Sequence, residues 1–317
     1  MSLCVMQDCP ANQGASCLEG HGELTACRHW RAAAVGQAPE SDSIPSSDAV
    51  AYRPQWTGYA LGTSELDLVV HTGRALLFGL VGHAKAGKSS LLCGLYAQML
   101  RGARLGAHRF AGSYTLASWH DLIRHTRQTV AHLPRFPPQT SQQKREPGLL
   151  HLAARQADGP RRELLFTDAP GPWFTTWMHE PRAEAAVSAN WIIRRADTLV
   201  VLADSDRLSG EHRGAARNDL FTLFARLSDE GTDRPVILCW SKSDIDVSAR
   251  LSAAVNGCFA DYFGAQALIT ETSVKNPTSI TDLVARCLTA GTEHRAATGL
   301  TPPRVGDDPF LLYRGVR

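Results

Sequence analysis

Lysine is scarce in this chain. Of 33 lysine and arginine residues, lysine occurs only at Lys85, Lys88, Lys144, Lys242 and Lys275. Generic positive charge is carried by arginine, so the place of each lysine is informative. Net charge is also nearly absent, at +2 with a pI of about 8.2. A balance so close to neutral lacks the field that marks nucleic-acid or acidic-membrane binding. Arg194, Arg195, Arg207, Arg213 and Arg217 accordingly read as solvated helix faces. No apolar run approaches the ~18 residues that cross a bilayer. The N-terminus lacks a basic stretch followed by an apolar one, and the expectation is a cytoplasmic protein. No period of 20–50 residues signals repeats. Among eight cysteines there is no C-x-x-C pair, and their spacings match no standard zinc ribbon.

What is present begins with length. At 317 residues and 44% hydrophobic content, the chain can build one large α/β domain with appendages. Its most specific segment is Gly82-His83-Ala84-Lys85-Ala86-Gly87-Lys88-Ser89, of the form G-x-x-x-x-G-K-S, continued by Ser90. Residues 74–81 before it read as a buried strand, and 90–100 after it are apolar at helical spacing. Strand, glycine loop and helix together make a phosphate cradle. The glycines let backbone N–H groups curl inward, and the helix N-terminus adds its dipole. Lys88 brings an ammonium to the β- and γ-phosphates, and Ser89 is placed as a Mg²⁺ ligand.

Three later segments add to this. Residues 162–167 read as a strand entering Asp168-Ala169-Pro170-Gly171, where the acid suits the magnesium shell and Gly171 lets its N–H approach the γ-phosphate. Residues 235–240 feed Ser241-Lys242-Ser243-Asp244, and 267–271 lead into Thr272-Ser273-Val274-Lys275. Asp244 can accept two hydrogen bonds from the N1–H and N2 amine of guanine. Adenine lacks that donor pair and would leave the carboxylate unpaired. Lys242 can lay its stem along the base, and the N–H of Val274 can reach guanine O6. In order and spacing these segments resemble the D-x-x-G, [N/T]-K-x-D and S-A-K motifs of the translation-factor class of P-loop GTPases, over roughly residues 74–290. Four of the five lysines fall inside these segments and the glycine loop. The resemblance implies a G domain with a mostly parallel six-stranded sheet and helices on both faces, binding GTP or GDP with Mg²⁺.

Gly112-Ser113-Tyr114-Thr115-Leu116 followed by Trp119, Asp168-Ala169-Pro170-Gly171 and Asp308-Pro309-Phe310-Leu311 are further similar to bacterial double-GTPase proteins. That likeness implies protein partners within a conflict or defence system.

Two departures bear on mechanism. The Ras-like position for the water-orienting glutamine holds Pro172, followed by Trp173 and Phe174, so slow hydrolysis is expected unless another group substitutes. Lys85 places a cation inside the loop, either as an internal substitute for an arginine finger or as a solvated charge beside the nucleotide. Ser241 stands where asparagine or threonine is usual, with a hydroxyl able to bridge to the loop. The γ-phosphate-sensing threonine is expected at Thr140, in the loop before the strand read at 148–154, with Thr115 as the rival.

Outside the G domain, expected at 56–297, the first 30 residues hold Cys4, Cys9, Cys17 and Cys27, with His21 and His29 nearby. Two readings fit: ligands of one zinc ion, or unpaired thiols in a mobile leader. Cys93, Cys239, Cys258 and Cys287 sit in apolar runs and read as core. Residues 31–55 read as a linker, 63–71 as a short helix, 279–290 as the last helix and 298–317 as an extension.

Overall fold

A computed structural model describes residues 3–31 except 7, 58–66, 69, 75–134 except 128, 131 and 132, and 147–297 except 158, 232, 265 and 266. Residues 32–55 of the expected linker, Thr140, Lys144 and the 298–317 extension lie outside the described residues. The chain divides into two compact units, Met1–Arg53 and Pro54–Arg317.

In the first unit, β1 (Leu3–Cys4) pairs antiparallel with β2 (Trp30–Arg31), with Cys4 opposite Trp30. Two 3₁₀ turns, Pro10–Gln13 and Leu24–Ala26, lie between them. The Asn12 side chain clasps the Cys4 backbone: its Oδ1 accepts from the Cys4 N–H at 2.7 Å and its Nδ2 donates to the Cys4 carbonyl at 3.2 Å. The buried cluster is Cys4, Cys9, Ala11, Cys17 and Cys27, with Leu24 and Trp30 packed against it.

The second unit is built on one sheet. Its strands are β3 (Ala75–Val81), β4 (Arg109–Gly112), β7 (Gly148–Arg155), β8 (Arg161–Asp168), β9 (Thr198–Asp204), β10 (Val236–Ser241) and β11 (Leu268–Thr272). A separate two-strand ribbon joins β5 (Thr129–Val130) to β6 (Leu133–Pro134). The sheet order is β11-β10-β9-β3-β8-β7-β4. The pairs from β11 to β8 are parallel, while β7 runs antiparallel to β8 and β4 antiparallel to β7. The sheet therefore has seven strands, one more than the six expected. The addition is the edge strand β4, whose residues, two exposed and two half-buried, carry a register shift between Phe110 and Gly112 and show no period-2 pattern.

The helices are α1 (Lys88–Leu100), α2 (Leu116–Arg127), α3 (Gly171–His179), α4 (Val187–Arg195), α5 (Ser205–Ser209), α6 (Arg213–Asp229), α7 (Ala249–Phe263) and α8 (Pro277–Ala297). Helix α8 is the last helix read at 279–290, longer at both ends. Of the segment read as a helix at 63–71, Thr63–Glu65 forms a 3₁₀ turn, in which the Glu65 carboxylate accepts the Gly62 N–H at 2.8 Å, and Val69 is helical; 67, 68, 70 and 71 lie outside the described residues.

Two cores flank the sheet. One collects α3, α4, α6 and α7 through Trp177, Ile192, Phe224 and Phe259; the other collects α1, α2 and α8 through Leu92, Trp119 and Leu283. Strand β3 feeds both, with Ala75, Leu77 and Val81 on one side and Leu76, Phe78 and Leu80 on the other. A central parallel strand covered on both faces has to be apolar throughout, and all seven residues of β3 are buried.

One ionic network lies inside this unit. His151 on β7 and Glu163 on β8 are buried and meet at 2.7 Å, and Arg161 reaches the other Glu163 oxygen at 2.6 Å. The Nδ1 of His151 accepts the Tyr114 N–H at 2.9 Å, and the Trp119 indole donates to the His151 carbonyl at 2.9 Å. Burial pushes the Glu163 carboxyl up, but the hydrogen bond from His151 and the charge of Arg161 outweigh it and hold it below the ordinary value. The network locks the Ser113–Trp119 stretch onto β7. Thr115 is part of it: fully buried, it accepts the His151 N–H at 2.8 Å through its hydroxyl. The rival threonine for sensing phosphate is thus a core residue.

Candidate nucleotide site

The site lies at the carboxyl ends of β3, β8, β10 and β11, where parallel α/β sheets bind ligands. A cavity of about 540 Å³ opens there, within the range of small-molecule sites. At one end it is walled by residues 84–91 and 169–172, at the other by Ser241, Lys242, Asp244, Ile245 and 272–275.

The phosphate end is set by backbone. Strand β3 stops at Val81, and the chain turns through Gly87, whose φ of +94° only glycine adopts at little cost. Helix α1 then starts at Lys88 with its first N–H groups aimed at the cavity. Lys85, exposed on the rim, has φ +65°, and Lys242 across the cavity has φ +55°. They are the two non-glycine residues with positive φ among the described residues. Left-handed backbone costs an L-residue about 1–2 kcal/mol, and such strain concentrates at functional sites.

Lys88 is 6% exposed and donates to the carbonyls of Gly82 at 2.8 Å and His83 at 2.9 Å. Burial lowers its pKa to about 8, against the opposing charge of Asp168. Ser89 Oγ donates to Asp168 Oδ1 at 2.9 Å, which joins the start of α1 to the end of β8. A hydroxyl and a carboxylate held side by side are a hard oxygen donor pair of the kind Mg²⁺ takes.

Gly171 is the first residue of α3 and packs on the loop. A methyl group in place of its hydrogen would lie 2.5 Å from both Ala84 Cα and the His83 carbonyl carbon, and nearer still to Ala84 N. Pro170 and Pro172 line the cavity on either side of it.

At the base end, Ser273 Oγ donates to Asp244 Oδ1 at 2.6 Å and Lys275 Nζ pairs with Asp244 Oδ2 at 2.7 Å. Lys275 and Ser273 together hold this carboxyl below its usual range. The Ser243 N–H donates to the Thr272 carbonyl at 3.1 Å, tying the two loops together. Lys242 Nζ pairs with Asp204 at 2.8 Å and Asp206 at 3.2 Å. Val274 is exposed on the wall.

The structure thus brings together Ala84, Lys85, Ala86, Gly87, Lys88, Ser89, Ser90, Gly171, Lys242, Asp244, Ser273, Val274 and Lys275, with Asp168 reached through Ser89. Gly82 and His83 do not line the cavity. Their carbonyls hold Lys88, and the His83 ring turns toward α6, 3.5 Å from Asp219. Burial, followed by the charge of Arg207, lowers the His83 pKa. The Ser241 hydroxyl donates to the Ala203 carbonyl at 3.3 Å instead of bridging to the loop. Asp204 and Asp206 went unread because β9 carries no phosphate or base motif; its signal is the apolar run 199–203 closed by an acid. Cys93, Cys239 and Cys287 are buried as expected, and burial pushes the Cys239 thiol up to about 12, while Cys258 is half-buried.

Fold and site define a P-loop nucleotide-binding α/β domain. The family model described as Double-GTPase 2 matches residues 76–288. The chain belongs to that family. Among solved structures it is similar to a variant of SsGBP, with 14% identity, a TM-score of 0.41, and coverage of 75% of this chain and 62% of that one. A bacterial selenocysteine-specific elongation factor, EF-Sec, is similar at 15% identity and TM-score 0.34, over 71% of this chain and 29% of that one. A variant of Aquifex aeolicus Era bound to GDP and AlF4− is similar at 15% identity and TM-score 0.37, over 68% and 56%. The chain thus spans less than two thirds of the length of each of these structures. No curated protein matches the sequence. Among the described residues no helix is long and apolar enough to cross a membrane.

Proposed function

We propose that this chain, through a G domain at residues 56–297, binds GTP and GDP with Mg²⁺ and hydrolyses GTP slowly, as a cytoplasmic switch read by protein partners. The observation that carries the reading is the single cavity joining the Lys88–Ser89–Asp168 cluster to the Asp244–Ser273–Lys275 cluster. Each end has its own chemistry, one for phosphate and metal and one for a base. Ser89 and Asp168 would hold Mg²⁺, which neutralises phosphate charge when bound. Lys88 serves the β- and γ-phosphates, the Gly171 N–H senses the γ-phosphate, and Thr140 is the candidate for the switch I threonine that senses it through Mg²⁺. Asp244, already oriented by Ser273, reads guanine N1 and N2, while Val274 N–H reads O6. Lys275 has to leave Asp244 for the base to pair there.

Slow turnover follows from Pro170 and Pro172 at the wall: neither has a side-chain donor or acceptor with which to orient water. Hydrolysis then depends on Lys85 or on a group from a partner. The same two prolines favour a second reading, a scaffold that holds nucleotide without turnover. A role in a bacterial conflict or defence system is consistent with membership of the double-GTPase family.

The test is calorimetric titration of GDP and ADP in Mg²⁺. At least ~100-fold preference for GDP is expected, the scale on which a polar recognition site rejects a ligand lacking its partners. Asp244→Asn should erode that preference and Lys88→Ala should weaken both nucleotides. Equal affinities would overturn the guanine assignment. Single-turnover GTP hydrolysis, with no phosphate released over many hours, would select the scaffold.

A further inference from the structure

The N-terminal unit holds four cysteines with no role in the nucleotide site. All four are free thiols and all are buried, at 8% exposure or less. They belong to one contiguous buried cluster. Among the described residues the buried cluster adds Ala11, with Leu24 and Trp30 packed against it. Below about 40 residues a chain seldom buries enough surface to fold without a metal or disulfides. Burying four thiols together, rather than Leu or Val, leaves a core with weak packing and polarisable donors.

The backbone is arranged around the sulfurs. The N–H of Met6 points at the Cys4 sulfur, and those of Ala11 and Leu18 at the Cys9 sulfur. In the first two the donor is two residues beyond its cysteine. Such N–H donors stabilise negative charge on sulfur and fix its direction, as the outer partners of metal ligands do. Turns hold the other two cysteines: the Gly20 N–H donates to the Cys17 carbonyl at 2.9 Å and the Trp30 N–H to the Cys27 carbonyl at 2.9 Å.

We propose that Cys4, Cys9, Cys17 and Cys27 bind one zinc ion as four thiolates, closing residues 3–31 into a structural metal knot. Four soft sulfur donors with no open position suit a closed, tetrahedral site. Each thiol gives up a proton to solvent as it ligates. Among the described residues, the donor atoms that already lie within 4.8 Å of one another are those of Glu19, His21 and Cys27, so the four sulfurs have to draw closer together to take the ion. Glu19 and His21 are exposed or half-exposed, and Glu19 is already engaged by His29 at 3.4 Å and Arg28 at 3.5 Å. The buried thiols are the better site for a soft ion, with the Glu19 cluster left as its hydrated rim.

The full chain, purified without chelator, should contain close to one zinc per molecule by elemental analysis. X-ray absorption should show sulfur neighbours alone, at about 2.3 Å, the Zn–S distance, without a shell at the shorter nitrogen or oxygen distance. Cys9→Ser and Cys17→Ser should each lose the metal and render residues 3–31 protease-sensitive. Glu19→Gln and His21→Ala should keep it. GDP binding serves as the control that the second unit remains folded in every variant. Metal-free protein, two disulfides by thiol titration, or zinc that survives Cys9→Ser but departs with His21→Ala would each overturn the proposal. The absorption measurement on the unmodified chain needs no variant to fold.

Discussion

Replacing Gly171 by alanine tests whether the start of α3 is a phosphate sensor. The new methyl would lie 2.5 Å from Ala84 Cα and from the His83 carbonyl carbon. Ordinary carbon contact is about 3.5–4.0 Å, so loop and helix must separate by on the order of 1 Å. The obstacles are backbone atoms, which cannot rotate out of the way as a side-chain tip could. A separation of that size takes the Gly171 N–H out of reach of a γ-phosphate held by the loop, while Lys88 and the base end keep their contacts. A hydrogen bond to a charged group contributes about 1.5–3 kcal/mol, which converts to roughly a 10–100-fold change in affinity. The expected outcome is that Gly171→Ala loses about that factor for a non-hydrolysable GTP analogue, while GDP affinity changes by a few-fold at most. Titration calorimetry with both nucleotides measures the ratio, and a thermal unfolding scan shows that the variant is folded. If the GTP-to-GDP ratio matches that of the parent chain, Gly171 does not touch the γ-phosphate.

Lys85→Ala should cut single-turnover GTP hydrolysis by about 10²–10³, the effect of losing one charge-stabilising donor, with little change in GTP affinity. Alanine retains the left-handed backbone cost, so thermal stability should hold; an unchanged rate would move the catalytic charge to a partner. The Lys88 pKa of about 8 means a large neutral fraction above that pH, which phosphate charge would return to the ammonium. Nucleotide binding should therefore take up protons at pH 8–9 and much less at pH 6.5, read from calorimetry in buffers of different ionisation enthalpy. Glu163 has a depressed folded pKa, so its ionised form stabilises the protein above the unfolded carboxylate value, and that stabilisation is lost as pH falls through the folded value. Glu163→Gln should flatten the acid side of the melting curve and cost about 3–5 kcal/mol at neutral pH, the range for breaking a buried pair.

The gathering of the glycine loop, Gly171, Asp244 and Ser273 around one cavity was legible because each motif occupies a short run of sequence. Lys88 and Ser89 open α1 directly after the glycine loop, and Asp168, Asp244 and Ser273 sit at or just beyond strand ends, where one or two residues decide the contact. The seventh strand was not legible: Arg109–Gly112 joins the sheet through β7, and an edge strand of two exposed and two half-buried residues leaves no period to read. The His151–Glu163 pair was equally hidden. His151 lies opposite Leu165 and Glu163 opposite Ala153, a diagonal offset of two residues, and only the register brings them together. Ser241 shows the limit of reading a hydroxyl from its position, since its partner proved to be the Ala203 carbonyl on β9. The N-terminal cysteines offered no standard spacing, and their convergence depends on the turns at Gly14 and Gly20, both with positive φ.

The position of Gly171 as the first residue of α3, with no intervening loop, has a mechanical consequence. A loop would absorb a displacement of an ångström by bending. A helix transmits it as a rigid rod. Trp173, Phe174, Trp177 and Met178 are all buried along this rod, and its far end is pinned where the Met178 carbonyl accepts from Arg226 at 3.1 Å. The Trp177 indole is held in turn by Asn190 at 2.8 Å. Any shift at the phosphate end must therefore be carried as a stroke into α4 and α6, about two and a half turns of helix away. A partner reading the nucleotide state need not touch the nucleotide: it can grip the outer faces of those two helices.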